Sequence, residues 1–363
     1  MIHLSHLFAL EFRDLAGRSL GQRTVTPNWE PAAEWARFEA MRRAPIDQWP
    51  AWAGAEIEIL PVYNGGAPYA EGFRAVVAVD PAHPVSSDFP LAWFKRLVDG
   101  LSAELIKEGK LTNGERFTYK LLAFNNRRAA PARSAGFKVE ETPAPPPALP
   151  AGLAELTAQS VPDGVIQDSE VPVYIPERIL SEAAEAAEAA GANETGGVLL
   201  GHLLQDAQGP EAAVRVTAQV PAQHTEAKCE SLVFTAETWT AVDSALALRK
   251  RDKEMMVGWW HSHPSKYWCR ECPEERRRQC PLKQQSFLSA HDVALHETVF
   301  PKPYNLALLI TNAEEGLHHA LFGWHRGQVA KRGFFVLRES PEAVTDRGRR
   351  PSLPARSAEP HTD

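Results

Sequence analysis

Two histidines at the end of an apolar segment are the residues best suited to chemistry in this sequence. Residues 255–260 are apolar apart from one glycine, and they lead directly into His261, Ser262, His263 and Pro264. This run predicts a buried strand, in which side chains two positions apart point to the same side. His261 and His263 would then present two imidazoles on one face, and Pro264 ends the strand. Two such imidazoles form half of a site for a first-row transition metal.

Two further polar positions flank this segment in the chain. Downstream, Ser289 is a favourable N-cap and Asp292 lies in the first turn of a predicted helix, where a carboxylate is favoured. Upstream, Glu194 immediately precedes an apolar, glycine-rich predicted strand. Each of these residues also has an ordinary interpretation. Glu194 could be a surface carboxylate at a helix–strand junction, while Ser289 and Asp292 could serve only the end of their helix.

Taken in order, these motifs carry a resemblance to a known family. Glu194 comes first, the His-Ser-His-Pro segment second, and the Ser-x-x-Asp segment third. This arrangement resembles the JAMM (MPN+) family of zinc metalloproteases, whose members cleave isopeptide bonds to ubiquitin and ubiquitin-like proteins. The resemblance covers residues 170–338. It implies an α/β (α+β) fold, namely an MPN/JAB domain with a central mixed β-sheet flanked by helices.

The resemblance also implies a role for each motif residue. His261, His263 and Asp292 would hold one catalytic Zn²⁺ and leave a fourth position open for water. Glu194 would act as the general base, and Ser289 would hydrogen-bond the oxyanion of the tetrahedral intermediate. The reaction implied is hydrolysis of an amide bond without a covalent intermediate.

The segment between Pro264 and Ser289 departs from the family pattern because it is much longer. Residues 265–288 form an insertion that contains three cysteines, Cys269, Cys272 and Cys280. Their spacing suggests a structural zinc site that lacks one ligand. Cys229 would complete an all-cysteine set, whereas His291 or His296 would give three thiolates and one imidazole. The alternative is three reduced thiols in a loop. The insertion leaves the ligand strand and returns to the Ser289 helix, so it should border the active-site cleft.

The length of 363 residues predicts two domains. Residues 1–125 are interpreted as a smaller α+β domain of unknown fold, with a helix over residues 31–43 and another that starts at 88–90. Residues 126–169 are rich in Pro and Ala and predict a linker. Residues 170–338 form the predicted protease domain. Residues 339–363 are rich in Pro, Arg and Ser and predict a disordered tail.

Charge and hydropathy exclude some classes of partner. The formal net charge of −7 argues against a protein that binds nucleic acid. No apolar run reaches the ~20 residues needed to span a bilayer, and the first residues lack the features of a signal peptide. A cytoplasmic location is therefore expected, where four cysteines are reduced or metal-bound rather than paired.

Three functions are compatible with these patterns. The leading hypothesis is an isopeptidase or C-terminal processing protease that acts on a ubiquitin-like protein or its conjugates. Since the Ala/Arg/Pro-rich composition suggests a bacterium, the substrate would belong to a bacterial conjugation or antiviral system, with homologues of activating and conjugating enzymes as partners. Residues 1–125 would recognise the substrate or this machinery. The second hypothesis is trimming of sulfur-carrier proteins in cofactor or cysteine biosynthesis, and the third is a non-catalytic MPN scaffold.

Overall fold

The computed structural model describes residues 1–64, 68–80, 82–126, 144–222, 225–228, 231–268, 273–278, 280, 286–314 and 316–338. The N-terminal part contains two small sheets. The strands of the first, in spatial order, are β1 (Ile2–Leu4), β4 (Glu56–Val62), β5 (Gly72–Ala78) and β6 (Val85–Pro90). Those of the second are β3 (Ser19–Val25), β2 (His6–Asp14) and β7 (Phe117–Asn125).

Helices α1 (Glu30–Arg42), α2 (Trp49–Ala53) and α3 (Lys95–Lys107) pack with these sheets. The helix expected from residues 88–90 starts later, because β6 continues through Pro90 and a 3-10 turn over Leu91–Phe94 precedes α3. Pro90 is tolerated there since β6 is an edge strand, where a missing N–H leaves no ladder hydrogen bond unmade. Strands β1, β2 and β3 were not predicted from the sequence.

The C-terminal part is built on a ten-stranded mixed sheet. Its continuous order is β18-β17-β16-β15-β11-β12-β10-β19-β9, and β8 pairs with β11 beside this path. These strands are β8 (Ala148–Ala151), β9 (Ser160–Asp163), β10 (Val173–Pro176), β11 (Gly196–Asp206), β12 (Ala212–Pro221), β15 (Met255–His263), β16 (Leu306–Ala313), β17 (Gly316–His325), β18 (Gln328–Arg332) and β19 (Phe334–Leu337). The expected α/β class with a central mixed sheet is confirmed.

Helices and a separate hairpin surround this sheet. The helices are α4 (Leu153–Ala158), α5 (Glu177–Ala190), α6 (Ala236–Arg249), α7 (Glu274–Arg278) and α8 (Ala290–Val299). The hairpin consists of β13 (Thr225–Lys228) and β14 (Ser231–Phe234). No helix within the described residues is both long and apolar enough to cross a membrane.

The predicted linker over residues 126–169 is only partly a linker. Residues 148–163 form β8, α4 and β9, which belong to the C-terminal sheet. Leu149 and Leu153 pack there with Tyr174 and Leu337, so burial of apolar side chains overrides the proline-rich composition. Residues 127–143, like the predicted tail at 339–363, lie outside the described residues.

The two parts share their apolar cores. Phe38 of α1 and Trp49 of α2 pack in one cluster with Ile175 and Trp260 of the large sheet. In the other direction, Trp324 of β17 joins the N-terminal cluster around Trp29. The N-terminal part is therefore packed directly against the sheet that carries the histidines.

Strand β15 lies in the middle of the large sheet and is buried from Val257 to His263. It pairs antiparallel with β11 and parallel with β16. A Cβ at Gly258 would lie 2.2 Å from the carbonyl oxygen of Leu306, so only glycine allows β16 to approach this closely. The histidine pair is thus carried by a rigid, fully paired strand.

Candidate metal centre

The end of β15 and the start of α8 bring three ligand groups together. The Nε2 atoms of His261 and His263 lie 3.1 Å apart. Asp292 Oδ2 lies 3.5 Å from Nε2 of His261 and 3.6 Å from Nε2 of His263. All three residues are buried, and they form a group of metal-ligand geometry within the described residues.

These distances fit a common cation. Ligand atoms placed ~2.05 Å from a tetrahedral zinc are about 3.3 Å apart, close to the three separations observed here. One carboxylate oxygen and two imidazole nitrogens converge on one point, and these are donor atoms that divalent first-row metals accept. The donor set therefore fits zinc in kind and in spacing.

Asp292 serves the helix end and the ligand cluster at the same time. Its Oδ2 accepts a hydrogen bond from the backbone N–H of Ser289 at 2.7 Å, and Ser289 Oγ accepts one from the backbone N–H of Asp292 at 3.2 Å. This reciprocal capping box fixes the first turn of α8. The two interpretations of these residues, helix end and metal site, are thus compatible, because the cap holds the carboxylate in place.

Burial and contact set the protonation states in this cluster. Burial lowers the pKa of His261, which favours the neutral imidazole that ligates metals. Burial alone would raise the pKa of Asp292, but hydrogen bonds with His261, His263 and Ser289 hold it well below its usual range. The carboxylate is therefore ionised.

Glu194 lies at the start of the strand next to the histidines and is only 4 % exposed. Gly196 pairs with His261, and Ser262 N–H donates to the carbonyl of Thr195 at 2.8 Å. The Thr195 N–H in turn donates to Ser262 Oγ at 3.0 Å. Continuing this register places Glu194 opposite His263. The residue is therefore not the exposed junction carboxylate of the ordinary interpretation.

Aromatic rings surround the two histidines. The indole of Trp259 stacks on His261 with ring centroids 4.6 Å apart and planes 13° apart. His263 contacts Trp268 at 5.2 Å and Phe287 at 5.3 Å between centroids. Trp268 and Phe287 belong to the two ends of the insertion, so both ends lie beside the metal centre.

The expected cysteine site lies largely outside the described residues. Cys229, Cys269 and Cys272 are not among them, and Cys280 is half-buried with a free thiol. His296 does not suit the role of fourth ligand, because it is fully buried and its Nδ1 accepts a hydrogen bond from Trp259 Nε1 at 3.1 Å. His291 is exposed on α8.

Sequence reasoning missed the contribution of Trp259 and His296. The available signal was spacing, since Trp259 lies two residues before His261 on a strand and His296 lies four residues after Asp292 on a helix. Each pair therefore shares one face of its element.

A cavity of about 620 Å³ lies away from this centre, between the N-terminal and C-terminal parts. Its lining includes Trp93, Arg96, Val293 and Glu297 but none of the three ligand residues. The cavity is therefore separate from the ligand cluster.

Comparison with known proteins agrees with this site. The family described as JAB1/Mov34/MPN/PAD-1 ubiquitin protease matches residues 168–272, which include Glu194, His261 and His263 and end inside the insertion. The solution structure of a protein from Desulfitobacterium hafniense is 17 % identical over 47 % of this chain and 96 % of that one, with a TM-score of 0.32, a likeness too weak to add to the assignment. No curated protein matches the chain. Asp292 follows the matched residues in the chain and joins the two histidines in space. The C-terminal part of this chain contains a JAB/MPN domain.

Proposed function

We propose that this chain is a zinc-dependent isopeptidase or peptidase that hydrolyses the amide bond at the C-terminus of a ubiquitin-like protein. The observation that carries the proposal is the convergence of His261, His263 and Asp292 within ligand distance of one point. A scaffold has no need to bury a carboxylate against two imidazoles, because buried polar groups are costly unless they are satisfied.

The residues of the chain divide the work of amide hydrolysis. His261, His263 and Asp292 hold the zinc, which supplies Lewis-acid activation of water and of the scissile carbonyl. Glu194 accepts the proton of the attacking water and delivers it to the departing amine. Its burial keeps this carboxylate away from bulk solvent, where general-base geometry would be poorly defined.

Ser289 is suited to stabilise the oxyanion. Its Oγ uses a lone pair to accept the N–H of Asp292, so the hydroxyl proton can be donated to a developing negative charge. The capping box fixes this hydroxyl relative to Asp292, and this supports the proposed role.

The substrate class follows from the family rather than from a substrate groove. The matched family is described as a ubiquitin protease, and this description supports a ubiquitin-like carrier. Residues 1–125 would recognise the carrier or its conjugation machinery, in the cytoplasm. Their direct packing against the large sheet supports such a role, because a bound partner would be held at a fixed position relative to the metal centre.

The test uses candidate carriers fused through their C-terminus to a reporter, including ubiquitin-like modifiers, their lysine-linked conjugates and sulfur carriers. Mass spectrometry of the products identifies the cleaved bond. Cleavage should stop with a chelator and return with zinc. Glu194→Gln should lower the rate ~10²–10⁴-fold while zinc binding is kept. Glu185→Gln, at an exposed position on α5, is the matched control and should leave the rate unchanged.

Two results would contradict the proposal. Cleavage that resists the chelator would remove the metal from the mechanism. A Glu194→Gln chain that retains full biological activity without cleavage would favour the scaffold. Cleavage restricted to sulfur-carrier fusions would keep the chemistry and change the substrate class.

A further inference from the structure

His296 is a buried titratable residue that takes no part in the ligand cluster. It lies on α8 and is 0 % exposed, in a pocket formed by Trp259, Phe300 and Trp324. Its Nδ1 accepts the indole N–H of Trp259 at 3.1 Å. This hydrogen bond joins α8 to β15 at a second point, beyond the contact that Asp292 makes with the histidines.

The two contacts between α8 and β15 are matched in spacing. Trp259 and His261 are two residues apart on a strand, a rise of ~6.6 Å, and both lie on one face. Asp292 and His296 are four residues apart on a helix, a rise of ~6.0 Å, and also share one face. The helix therefore meets the strand at both positions in one register, with Asp292 at the ligands and His296 at Trp259.

Trp259 is also the residue that fixes the plane of His261. Metal-ligating histidines usually donate their other ring N–H to a carboxylate or carbonyl, which sets the ring orientation. His261 Nδ1 is buried and has no such partner within the described residues. The stacked indole of Trp259, with planes only 13° apart, is the contact that restrains this ring.

The two ring nitrogens of His296 are used differently. Because Nδ1 accepts a hydrogen bond, Nε2 carries the ring proton, and Nε2 is buried without a hydrogen-bond partner in the described part of the chain. An apolar ring of similar size would remove this unpaired donor but would leave the indole N–H of Trp259 without its acceptor, so the contact with Trp259 is the interaction that only an acceptor at position 296 can make. Burial lowers the pKa of His296 to about 3, so the ring is neutral and able to accept.

We propose that His296 is a positioning residue of the metal centre. It orients the indole of Trp259, and the indole fixes the ring plane of His261. This inference rests on the proposed function in one respect, namely that His261 is a metal ligand. It assigns His296 no contact with the metal or with the substrate.

The experiment compares zinc affinity among full-length variants. His296→Phe keeps the ring and removes the acceptor, whereas His296→Gln keeps an acceptor for the indole N–H. His325→Phe replaces a histidine that contacts Trp35 in the N-terminal part and is the matched control. Zinc affinity is measured by competition with a chelating dye, and the visible absorption of the Co²⁺-substituted chain reports ligand geometry. Thermal unfolding of the metal-free chains separates loss of the site from loss of the fold.

The expected result is specific to the acceptor. His296→Phe should bind zinc about 10–100-fold more weakly and alter the Co²⁺ bands, as is typical when a residue that orients a metal ligand is changed. His296→Gln and His325→Phe should behave like the parent chain. Trp259→Phe removes the same hydrogen bond from the other side, and in combination with His296→Phe the two losses should be strongly non-additive.

Three outcomes would overturn the inference. Parent-like zinc affinity in His296→Phe would do so, as would failure of His296→Gln to restore it. Additive losses in the double variant would also contradict it. If His296→Phe does not fold, the zinc affinity of Trp259→Phe is the test. An affinity equal to that of the parent chain would then contradict the inference. A parent chain that binds no zinc overturns the proposed function as well, whereas tight zinc binding by parent and variant alike overturns only the role of His296.

Discussion

Two groups of charged residues in the described part of the chain, each with buried members, are neutralised in opposite ways. The first is the metal centre. The second lies between α1 and the C-terminal sheet and is called here the junction cluster; it consists of Glu39, Arg42, Arg43 and Glu211. Arg42 binds both oxygens of Glu39, at 2.7 and 3.2 Å, and also contacts Glu211 and the carbonyl of Ser169. In the junction cluster, the cation is part of the protein.

The metal centre holds an anion, and no Lys or Arg is paired with it among the described residues. Asp292 faces two imidazoles, and burial lowers the pKa of His261, which favours the neutral form of that ring. Breaking a buried ion pair is strongly destabilising, whereas a buried site with unused lone pairs gains stability from an external ion. The contrast predicts that the junction cluster is independent of metal and that the ligand cluster responds to it.

The largest expected effect is at the junction cluster. Arg42→Met removes the guanidinium of Arg42, whose side chain is 4 % exposed. The buried Glu39 is left without its main partner. We expect a loss of about 3–5 kcal/mol in the free energy of unfolding, as for other broken buried pairs. Urea unfolding measures it. A loss that depended on added zinc would contradict the separation of the two clusters.

Zinc should stabilise the chain through the metal centre alone when the cysteine site is removed. In a chain with Cys269→Ser and Cys272→Ser, free zinc at 1,000 times its Kd should add about 4 kcal/mol to the free energy of unfolding. Asp292→Asn should abolish this gain, because it removes the charge while an amide oxygen can still accept the Ser289 N–H of the capping box. Unfolding in zinc and in chelator measures the difference. An equal gain in Asp292→Asn would contradict the ligand assignment.

A smaller effect per pH unit is expected from acid in the metal-free chain. The pKa of His296 falls from 6.5 to about 3 on folding because of burial. The unfolded chain therefore binds one more proton between these values, so this contribution to stability is complete above pH 6.5 and is lost as the pH falls toward 3. The slope is up to about 1.4 kcal/mol per pH unit. Urea unfolding across this range gives the free energy of unfolding as a function of pH. In His296→Gln the slope of this dependence should be smaller by the amount that one proton contributes, and an unchanged slope would contradict the burial of a neutral ring.

The smallest effect is expected from the other arginine of the junction cluster. Arg43 contacts the same carboxylate as Arg42, at 3.1 Å, but its side chain is 61 % exposed. Arg43→Ala should cost less than about 1 kcal/mol by urea unfolding, since exposed pairs are screened by water and salt. A loss of stability as large as that of Arg42→Met would show that side-chain exposure does not determine how much each arginine contributes to stability.

The two halves of the metal centre could be predicted from local spacing, since His261 and His263 are two apart on a strand and Ser289 and Asp292 are three apart at a helix start. Their convergence on one ion was expected only from the resemblance to the JAMM family, because it depends on how α8 docks against β15. The junction cluster could not be predicted, since Arg42 and Glu211 meet only after α1 packs on the large sheet. Composition misled at residues 148–163, where pairing with existing strands outweighs proline content.

Trp259 makes one contact that can be predicted from the sequence and one that cannot. Its stacking on His261 follows from strand spacing, but its hydrogen bond to His296 depends on how α8 docks against β15. The strands β1, β2 and β3 show the same limit in the N-terminal part. Their apolar side chains pack with helices and strands from elsewhere in the N-terminal part, which local spacing does not predict.

The most direct test of the central claim is the zinc content of the full-length chain and its variants, measured by titration of the metal-free protein. We predict about two zinc ions per chain, falling to about one with Cys269→Ser and Cys272→Ser. The remaining ion should be lost when Asp292→Asn is added to that variant. A remaining ion that survives Asp292→Asn, or a Cys269→Ser, Cys272→Ser variant that binds no zinc, would contradict a metal centre at His261, His263 and Asp292.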